Sequence, residues 1–333
     1  MIHLATELTQ PQSVSTVLED LMGGSRAERP PESPTGFDPL DKVLGGGLRD
    51  RDLILIGGGP GVGKTVLALQ WARSIARYGR SAVFACYEHD EASLFVRLVL
   101  LEAGELAKEK DTAVPANLRE AVRSMVRGEI PFAEALAADE FLRFACARVA
   151  AYADKLWVFR ASGSHSGLHE LDGMLEEHGN GGAVLFVDYL QKVPAPSGAA
   201  TEEQRVARVT EGLKEIALQR EVPVVAAVAG DLAGLNARRL RMHHLRGSSA
   251  LAYEADVVIM INDKYRAVSS VHTAYDPVRA EAFRSQVVIT VEKNRDGDAP
   301  LDLEFTKDFD HYRFEPVGGF VGERLVDDHF YTT

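Results

Sequence analysis

The chain has 333 residues, of which 46% are hydrophobic, and a formal net charge of −12 at neutral pH. This length suits one α/β domain with short additional segments, and the acidic balance argues against a protein that coats nucleic acid with its whole surface. Cys86 and Cys146 are the only cysteines and form no CxxC pair, which argues against a structural zinc site and fits a reducing compartment. No stretch has membrane-spanning length or signal-peptide layout, so we expect a cytoplasmic protein that binds no membrane.

Residues 1–35 differ in composition from the rest of the chain. The segment SVSTVLEDLMGG predicts a short helix with one apolar face, and the polar, proline-rich SRAERPPESP predicts a tether. A helix this short cannot bury its apolar face alone, so we expect this linker helix to pack on its own domain or on a neighbouring molecule. The residues of the apolar face are Val14, Val17, Leu18 and Leu21.

From residue 36 to residue 316, apolar strands alternate with helices. Continuous apolar strands of this kind are typical of a parallel sheet that helices cover on both faces, so we expect an α/β domain with a mostly parallel central sheet. Residues 102–150 are predicted to be a helical insert, and residues 317–333 a C-terminal tail. The predicted strands are 52–58, 81–88, 155–161, 183–190, 222–230, 255–263, 285–293 and 301–307, and the main helices outside the insert are 64–79, 166–179 and 201–220.

A glycine-rich loop follows the first predicted strand and fits the pattern GxxxxGK[ST] between a strand and a helix. Its backbone N–H groups and the start of the following helix are expected to surround the phosphates of ATP. Lys64 is expected to reach the β- and γ-phosphates, and the Thr65 hydroxyl to bind Mg²⁺. The predicted phosphate-binding residues are Gly58, Gly59, Pro60, Gly61, Val62, Gly63, Lys64 and Thr65.

Two acidic residues each end an apolar strand. Asp188 ends AVLFVD, at the edge where open α/β sheets bind their ligands, and it is predicted to be the second Mg²⁺ ligand. Glu88 ends SAVFACYE and is predicted to polarise the water that attacks ATP. The alternative is that Glu88 only caps the helix that begins at His89-Asp90-Glu91.

Two groups of basic residues follow later in the chain. Lys293 and Arg295 end the strand VVITVEKNRDGD, either as a solvated strand end or as functional cations. The segment LNARRLRMHHLRGSS, residues 235–249, either contacts nucleic-acid phosphates or pairs with the protein's own acidic surface. The loop PAPSGAATEEQR, residues 194–205, carries no basic residue before Arg205. The candidate nucleic-acid residues are Arg238, Arg239, Arg241 and Arg246.

These elements, in this order, resemble the RecA-like P-loop ATPases, and more closely the motor domain of DnaB-type hexameric replicative helicases. The segment before and through the phosphate loop resembles that family's entry into its own loop, and VDYLQ resembles its second motif. LRGSSALAYEADVVIMI is similar to its channel-facing segment, and VEKNRDGD to its Lys-x-Arg-x-Gly element. The resemblance covers residues 12–316 and implies a RecA-like fold that hydrolyses ATP with Mg²⁺.

The resemblance also implies a shared active site. In that family the Lys-x-Arg pair reaches the γ-phosphate bound by the neighbouring subunit, so Arg295 would be an arginine finger and Lys293 would assist it. The linker helix would pack on the adjacent subunit, and the basic segment 235–249 would grip single-stranded DNA. The contact between copies would be head to tail, which closes as a hexameric ring or opens as a filament.

Three departures from the family pattern leave two functions open. We expect no N-terminal collar domain, and Gly247 replaces the acidic residue that follows Arg246 in the family. Asp231, which we count among the nucleotide-site residues, stands where the family has a glutamine, and a carboxylate cannot donate the hydrogen bond that an amide can. The chain is therefore either a DNA-dependent motor or a nucleotide-gated assembly or regulatory ATPase that binds a protein partner.

Overall fold

The structure is a computed structural model that describes residues 13–23, 33–179, 182–195, 201–269 and 277–326. It divides into two units, Met1–Pro31 and Glu32–Thr333. The first unit contains helix α1 (Val14–Met22), whose first turn is capped because the Ser13 side chain accepts a hydrogen bond from the Thr16 N–H. The side chains of Val14, Leu18 and Met22 are exposed. Residues 25–32 of the predicted tether and the side chains of Val17 and Leu21 lie outside the described part.

The second unit consists of a central sheet with helices on its two faces. Its described strands are β1 (Leu53–Gly58), β2 (Ala82–Cys86), β3 (Leu156–Arg160), β4 (Val184–Asp188), β5 (Val224–Ala229), β6 (Val257–Asp263), β7 (Gln286–Asn294), β8 (Leu301–Asp308), β9 (Arg313–Phe314) and β10 (Gly319–Phe320). Its described helices are α2 (Leu40–Val43), α3 (Lys64–Arg77), α4 (Glu91–Glu109), α5 (Leu118–Val126), α6 (Phe132–Ala138), α7 (Glu140–Ala150), α8 (Leu168–His178), α9 (Glu202–Arg220), α10 (Leu232–Asn236), α11 (Ala250–Glu254), α12 (Lys264–Ala267) and α13 (Pro277–Ala282).

The sheet has the strand order β10-β8-β7-β6-β1-β5-β4-β2-β3, and β9 pairs with β8. The strands from β6 to β3 in this order are parallel, whereas β7, β8 and β10 run antiparallel to their neighbours. The predicted α/β fold with a mostly parallel sheet is confirmed. The direction of β7 is important for the site, because this strand ends at the opposite edge of the sheet from β1.

Successive residues of the central strands face opposite sides of the sheet, as strand geometry requires. Ile54 and Ile56 of β1 belong to the core that packs against α3 to α7, and Leu53 and Leu55 belong to the core that packs against α8 and α9. Both faces of β1 are therefore buried, which explains why its sequence is apolar without alternation.

The residues predicted as a helical insert form the end of α4 and the helices α5 to α7. Leu118, Val122 and Leu142 from these helices are buried in the core. Glu102 of α4 connects α3 and α7, since its carboxylate lies 2.6 Å from Arg73 Nε and 3.1 Å from Arg148 Nε. A buried carboxylate needs such partners, because an unpaired charge in the interior is costly.

The described residues that follow 316 add to the sheet. β10 pairs with β8, and Leu325 is buried where it forms a bridge with Val268. Residues 327–333 of the predicted tail lie outside the described part. In the part of the chain that the structure describes, no helix combines the length and apolarity needed to cross a membrane.

We expect Phe186→Ala to lower the free energy of unfolding by about 3–5 kcal/mol, because it leaves a cavity in the core. Phe186 is fully buried and stacks on Phe84 with ring centroids 5.8 Å apart. Urea unfolding followed by circular dichroism measures the change. The control is Trp157→Ala on the edge strand β3, where the side chain is 42% exposed; an equal loss in both variants would contradict this account of the core.

Candidate functional site

A cavity of about 520 Å³ lies at the edge of the sheet where the parallel strands β1, β2, β4 and β5 end. Parallel strands bring their carboxyl ends to one edge, and the helices that follow begin there. The cavity therefore collects side chains that are far apart in sequence. Most of the predicted phosphate and metal residues line it: Gly58, Pro60, Gly61, Gly63, Lys64, Thr65, Glu88 and Asp188.

Two glycines of the loop have backbone angles that favour glycine. Gly61 has φ +73° and Gly63 has φ +101°, a region that side chains with a Cβ rarely adopt. Gly63 is also the N-cap residue of α3, and a Cβ there would lie 2.6 Å from the Phe314 ring. The loop can thus approach Phe314 closely only with glycine at position 63.

Lys64 is the first residue of α3 and points back over the loop. Its Nζ donates to the carbonyl oxygens of Gly58 and Gly59, each at 2.9 Å. Burial lowers the pKa of Lys64, and the carboxylates of Asp188 and Glu88 oppose this shift by favouring the charged form. The site therefore contains a lysine held at the phosphate loop between two acids.

Thr65 and Asp188 meet at the bottom of the cavity. The Thr65 hydroxyl donates to Asp188 Oδ2 at 2.7 Å, and burial raises the pKa of Asp188 while this hydrogen bond opposes the shift. A hydroxyl and a carboxylate are the oxygen ligands that Mg²⁺ prefers, so the two residues fit this metal. No group of three or more His, Cys, Asp or Glu residues that could hold a metal occurs in the described ranges, so phosphate oxygens and water would complete the coordination.

Glu88 lines the cavity with an exposed side chain. The helix that follows is capped by a different residue, since Asp90 accepts a hydrogen bond from the Ser93 N–H at 2.8 Å. The carboxylate of Glu91 accepts from the Arg160 N–H at 2.8 Å. Capping of α4 therefore does not explain Glu88, whose side chain lines the cavity. Its role in polarising the attacking water stays a prediction.

Sequence reasoning missed several residues of the cavity wall, among them Arg97, Phe309 and Tyr312. Arg97 donates to His89 Nε2 at 2.8 Å and lies over the Tyr312 ring, 4.9 Å from its centroid. Burial and the Arg97 charge both lower the pKa of His89. Arg97 lies inside an amphipathic helix and the two aromatic residues follow β8, so no local motif marks them.

Asp231 is the N-cap residue of α10 and does not line the cavity, whereas Gly230 does. Its carboxylate accepts from the Gly234 N–H at 2.7 Å, and its own N–H donates to the His244 carbonyl at 2.8 Å. The structure therefore places Asp231 beside the nucleotide cavity as a helix cap. Its predicted role in nucleotide binding has no geometric support here.

Lys293 and Arg295 lie at the opposite edge of the sheet, because β7 runs antiparallel to β6. Lys293 Nζ donates to the carbonyl oxygens of Ala252 and Ala255, at 2.8 and 2.5 Å, and burial lowers the pKa of Lys293 more than the neighbouring Arg295 does. Arg295 is half exposed and lies 2.9 Å from Asp256. Within one chain, neither cation meets the phosphate loop.

The four arginines of the basic segment do not form one exposed group. Arg239 is only 3% exposed and pairs with Asp302, and its side chain also donates to the Thr290 hydroxyl at 3.1 Å. Arg239 is therefore not available to a nucleic-acid strand in this conformation, because its guanidinium lies inside the protein.

The other three arginines differ in exposure and contacts. Arg241 pairs with Glu292, and Arg238 donates to the Val268 carbonyl at 2.9 Å. Arg246 is half exposed, lines the nucleotide cavity and lies 2.6 Å from Glu202.

Gly247 has φ +125°, and a Cβ there would lie 2.6 Å from Val206 Cγ2. The chain therefore excludes an acidic side chain at this position for two physical reasons, backbone conformation and contact with α9. The segment that begins at Arg246 passes close to α9 only because residue 247 is glycine.

The chain is similar in sequence to known proteins. The sequence model of the family described as "DnaB-like helicase C terminal domain" matches residues 33–127 and 164–314. The chain is similar to the replicative DNA helicase DnaC of Bacillus subtilis (strain 168), with 26% identity over 300 residues that cover 86% of this chain and 58% of the relative. It is also similar to the replicative DNA helicase DnaB of Treponema pallidum (strain Nichols), with 30% identity over 231 residues that cover 68% of this chain and 47% of the relative.

Among solved structures, that of a DnaB-like replicative helicase, described with its interactions with primase, aligns with a TM-score of 0.66 and 16% identity. The alignment covers 92% of this chain and 67% of that one. At this identity the match shows the fold alone. The chain spans about half the length of the replicative helicases it matches in sequence.

We expect Gly63→Ala to weaken the binding of nucleotide, because the new methyl group displaces Phe314 and with it the phosphate loop. Gly79→Ala is the matched control: Gly79 has φ +92°, but a Cβ there meets nothing within 4 Å. Both variants should lose about 1–2 kcal/mol of stability from backbone strain. Only Gly63→Ala should also raise the Kd of a fluorescent ATP analogue, and equal Kd values in the two variants would contradict this role of the contact.

Proposed function

The chain belongs to the DnaB-like helicase C-terminal domain family, and from this premise we propose that it is an ATP-hydrolysing motor domain that acts on single-stranded DNA as a head-to-tail oligomer. The active site of each copy would be completed by cations from the next copy. The observation that carries this proposal is the placement of the phosphate loop and of Arg295 at opposite edges of one sheet.

The residues at the cavity have separate roles in the proposed hydrolysis. Lys64 and the loop N–H groups bind the β- and γ-phosphates, while Thr65 and Asp188 hold Mg²⁺. Bound Mg²⁺ would neutralise charge on the phosphate oxygens. Glu88 accepts a hydrogen bond from the attacking water and orients it, which suits a carboxylate that stands at the cavity without acting as a helix cap.

Arg295 and Lys293 cannot reach the nucleotide of their own chain, because the sheet separates them from it. They can reach a nucleotide only if a second copy presents its phosphate-loop edge to this edge. A head-to-tail contact of this kind repeats around a ring or along a filament. Arg295 is the better candidate for the finger, since it is half exposed, whereas Lys293 donates to carbonyls near the end of α11.

A mixing experiment tests the shared site. We expect Lys64→Ala and Arg295→Ala each to lose ATPase activity, by about 10³- to 10⁵-fold for the arginine. A mixture of the two variants should recover about a quarter of wild-type activity, since that fraction of random head-to-tail contacts joins an intact phosphate loop to an intact Arg295. Steady-state ATPase activity at fixed total protein concentration is the measurement.

The control for this mixture is Arg143→Ala, because Arg143 and Arg295 side chains have the same 54% exposure. Arg143→Ala should keep wild-type activity both alone and when mixed with wild type. A mixture of the Lys64 and Arg295 variants that stays inactive, although analytical ultracentrifugation shows that it assembles, would refute the shared site.

A second candidate is a nucleotide-gated assembly or regulatory ATPase that binds a protein partner. The ion pairs of the basic segment favour it, since Arg239 and Arg241 are bound to Asp302 and Glu292. Both candidates use the same shared ATPase site. They differ in whether Arg238 and Arg246, the remaining candidate contacts, bind the phosphates of a DNA strand.

Binding of a fluorescent oligo(dT) at several salt concentrations separates the two candidates. For a DNA motor, Arg238→Ala and Arg246→Ala should each weaken binding and reduce the slope of log K against log salt by about 0.7 for each phosphate that the variant no longer neutralises. Arg143→Ala should change neither quantity. Assembly and ATPase activity without measurable oligo(dT) binding would favour the regulatory ATPase.

A further inference from the structure

Gln191 is the last residue of VDYLQ, the motif to which the sequence assigns a metal-binding aspartate but no function for the glutamine. It lies three residues after Asp188, in the 3-10 turn Leu190–Lys192, and it is 8% exposed. A buried amide must find hydrogen-bond partners, since leaving its groups unpaired costs about 1–3 kcal/mol. The hydrogen-bond partners of Gln191 therefore show which segments of the chain it connects.

The amide of Gln191 joins three segments of the chain. Its Nε2 donates to the Arg246 carbonyl at 2.9 Å and to the Ala229 carbonyl at 3.3 Å, and its Oε1 accepts from the Ala229 N–H at 3.2 Å. The Arg246 N–H itself donates to the Ala229 carbonyl at 2.9 Å. The turn after β4, the end of β5 and the start of the segment 246–249 are thus held by one side chain.

Each end of this connection borders the nucleotide cavity. Asp188 precedes Gln191 at the end of β4 and accepts a hydrogen bond from Thr65, and both Ala229 and Arg246 line the cavity wall. Asp231, which follows β5, has its carboxylate engaged by the Gly234 N–H of its own helix. The hydrogen bonds of the Gln191 side chain therefore connect the turn after β4 to the segment 246–249.

We infer that Gln191 is a positioning residue that transmits the nucleotide state of the Thr65–Asp188 site to residues 245–254. The inference rests on the proposed function, in that it takes the cavity to bind Mg·ATP. A change in the Asp188 strand on nucleotide binding alters the position of the Gln191 amide, and the two carbonyls that accept from it follow. The Arg246 side chain, which faces Glu202 at the start of α9, is displaced with its backbone.

Hydrogen exchange followed by mass spectrometry on the full chain, with and without Mg²⁺ and a non-hydrolysable ATP analogue, tests this inference without DNA. In the wild type we expect protection at residues 58–66 and a second change at residues 245–254. Gln191→Leu and Gln191→Glu should keep the protection at 58–66. In both variants the nucleotide-dependent change in hydrogen exchange at residues 245–254 should be smaller by about fivefold or more, because fivefold is the lower end of typical allosteric coupling.

The matched control is Gln70→Leu. Gln70 is another buried amide that joins backbone groups, since it donates to the Phe314 carbonyl at 2.9 Å and accepts from the Phe314 N–H at 2.8 Å. Because a Cβ at Gly63 would meet Phe314, this control is compared only in samples where the analogue still protects residues 58–66. In those samples Gln70→Leu should cost comparable stability and leave the response at 245–254 unchanged. Gln191→Glu is the second variant in case Gln191→Leu does not fold, because it keeps the size of the side chain and the acceptor for Ala229.

The outcomes are distinct. A full response at 245–254 in a Gln191 variant that binds the analogue would overturn the inference, and so would a wild type that is protected at 58–66 but unchanged at 245–254. A wild type with no protection at 58–66 would instead refute nucleotide binding, and with it both the proposed function and this inference.

Discussion

Strand direction is the constraint on which both halves of the proposed active site depend. β1, β4 and β2 are parallel and deliver the phosphate loop, Asp188 and Glu88 to one edge of the sheet. β7 is antiparallel and delivers Lys293 and Arg295 to the other edge. The two groups thus lie on opposite surfaces of one molecule, which is the arrangement that a head-to-tail contact between copies requires.

The contacts of Asp256 explain how Arg295, at the end of β7, can leave its ion pair without destabilising the fold. Its carboxylate is 3% exposed and accepts from the Leu53 N–H at 2.8 Å, from Lys214 Nζ at 2.6 Å and from Arg295 at 2.9 Å. Lys214 is 13% exposed whereas Arg295 is 54% exposed, so the lysine provides most of the buried compensation. Arg295 can leave without creating the unpaired buried charge that would be costly.

Sequence reasoning singled out the phosphate loop, Asp188 and Glu88, which line the cavity, because each is a local signal at the end of an apolar strand. It could not identify Arg97 or Phe309, whose position at the cavity depends on how α4 and the segment after β8 pack. It also counted Arg239 as available, since a sequence does not show that Asp302 compensates its charge inside the protein. The two-residue strands β9 and β10 were missed because they are too short to show periodicity.

The ion pairs of the basic segment connect DNA binding to oligomerisation. Moving Arg239 from Asp302 to a DNA phosphate would break a pair whose arginine is buried and whose aspartate is 32% exposed, at a cost below the roughly 3–5 kcal/mol of a fully buried pair. This cost exceeds the free energy gained from one contact with a solvated phosphate. Each copy therefore offers few DNA contacts beyond those of Arg238 and Arg246. Useful affinity for a strand then has to come from repetition of these contacts around an oligomer, where each additional contact is intramolecular. The DNA motor therefore requires the assembled state for binding as well as for catalysis, whereas the regulatory ATPase requires it only for catalysis.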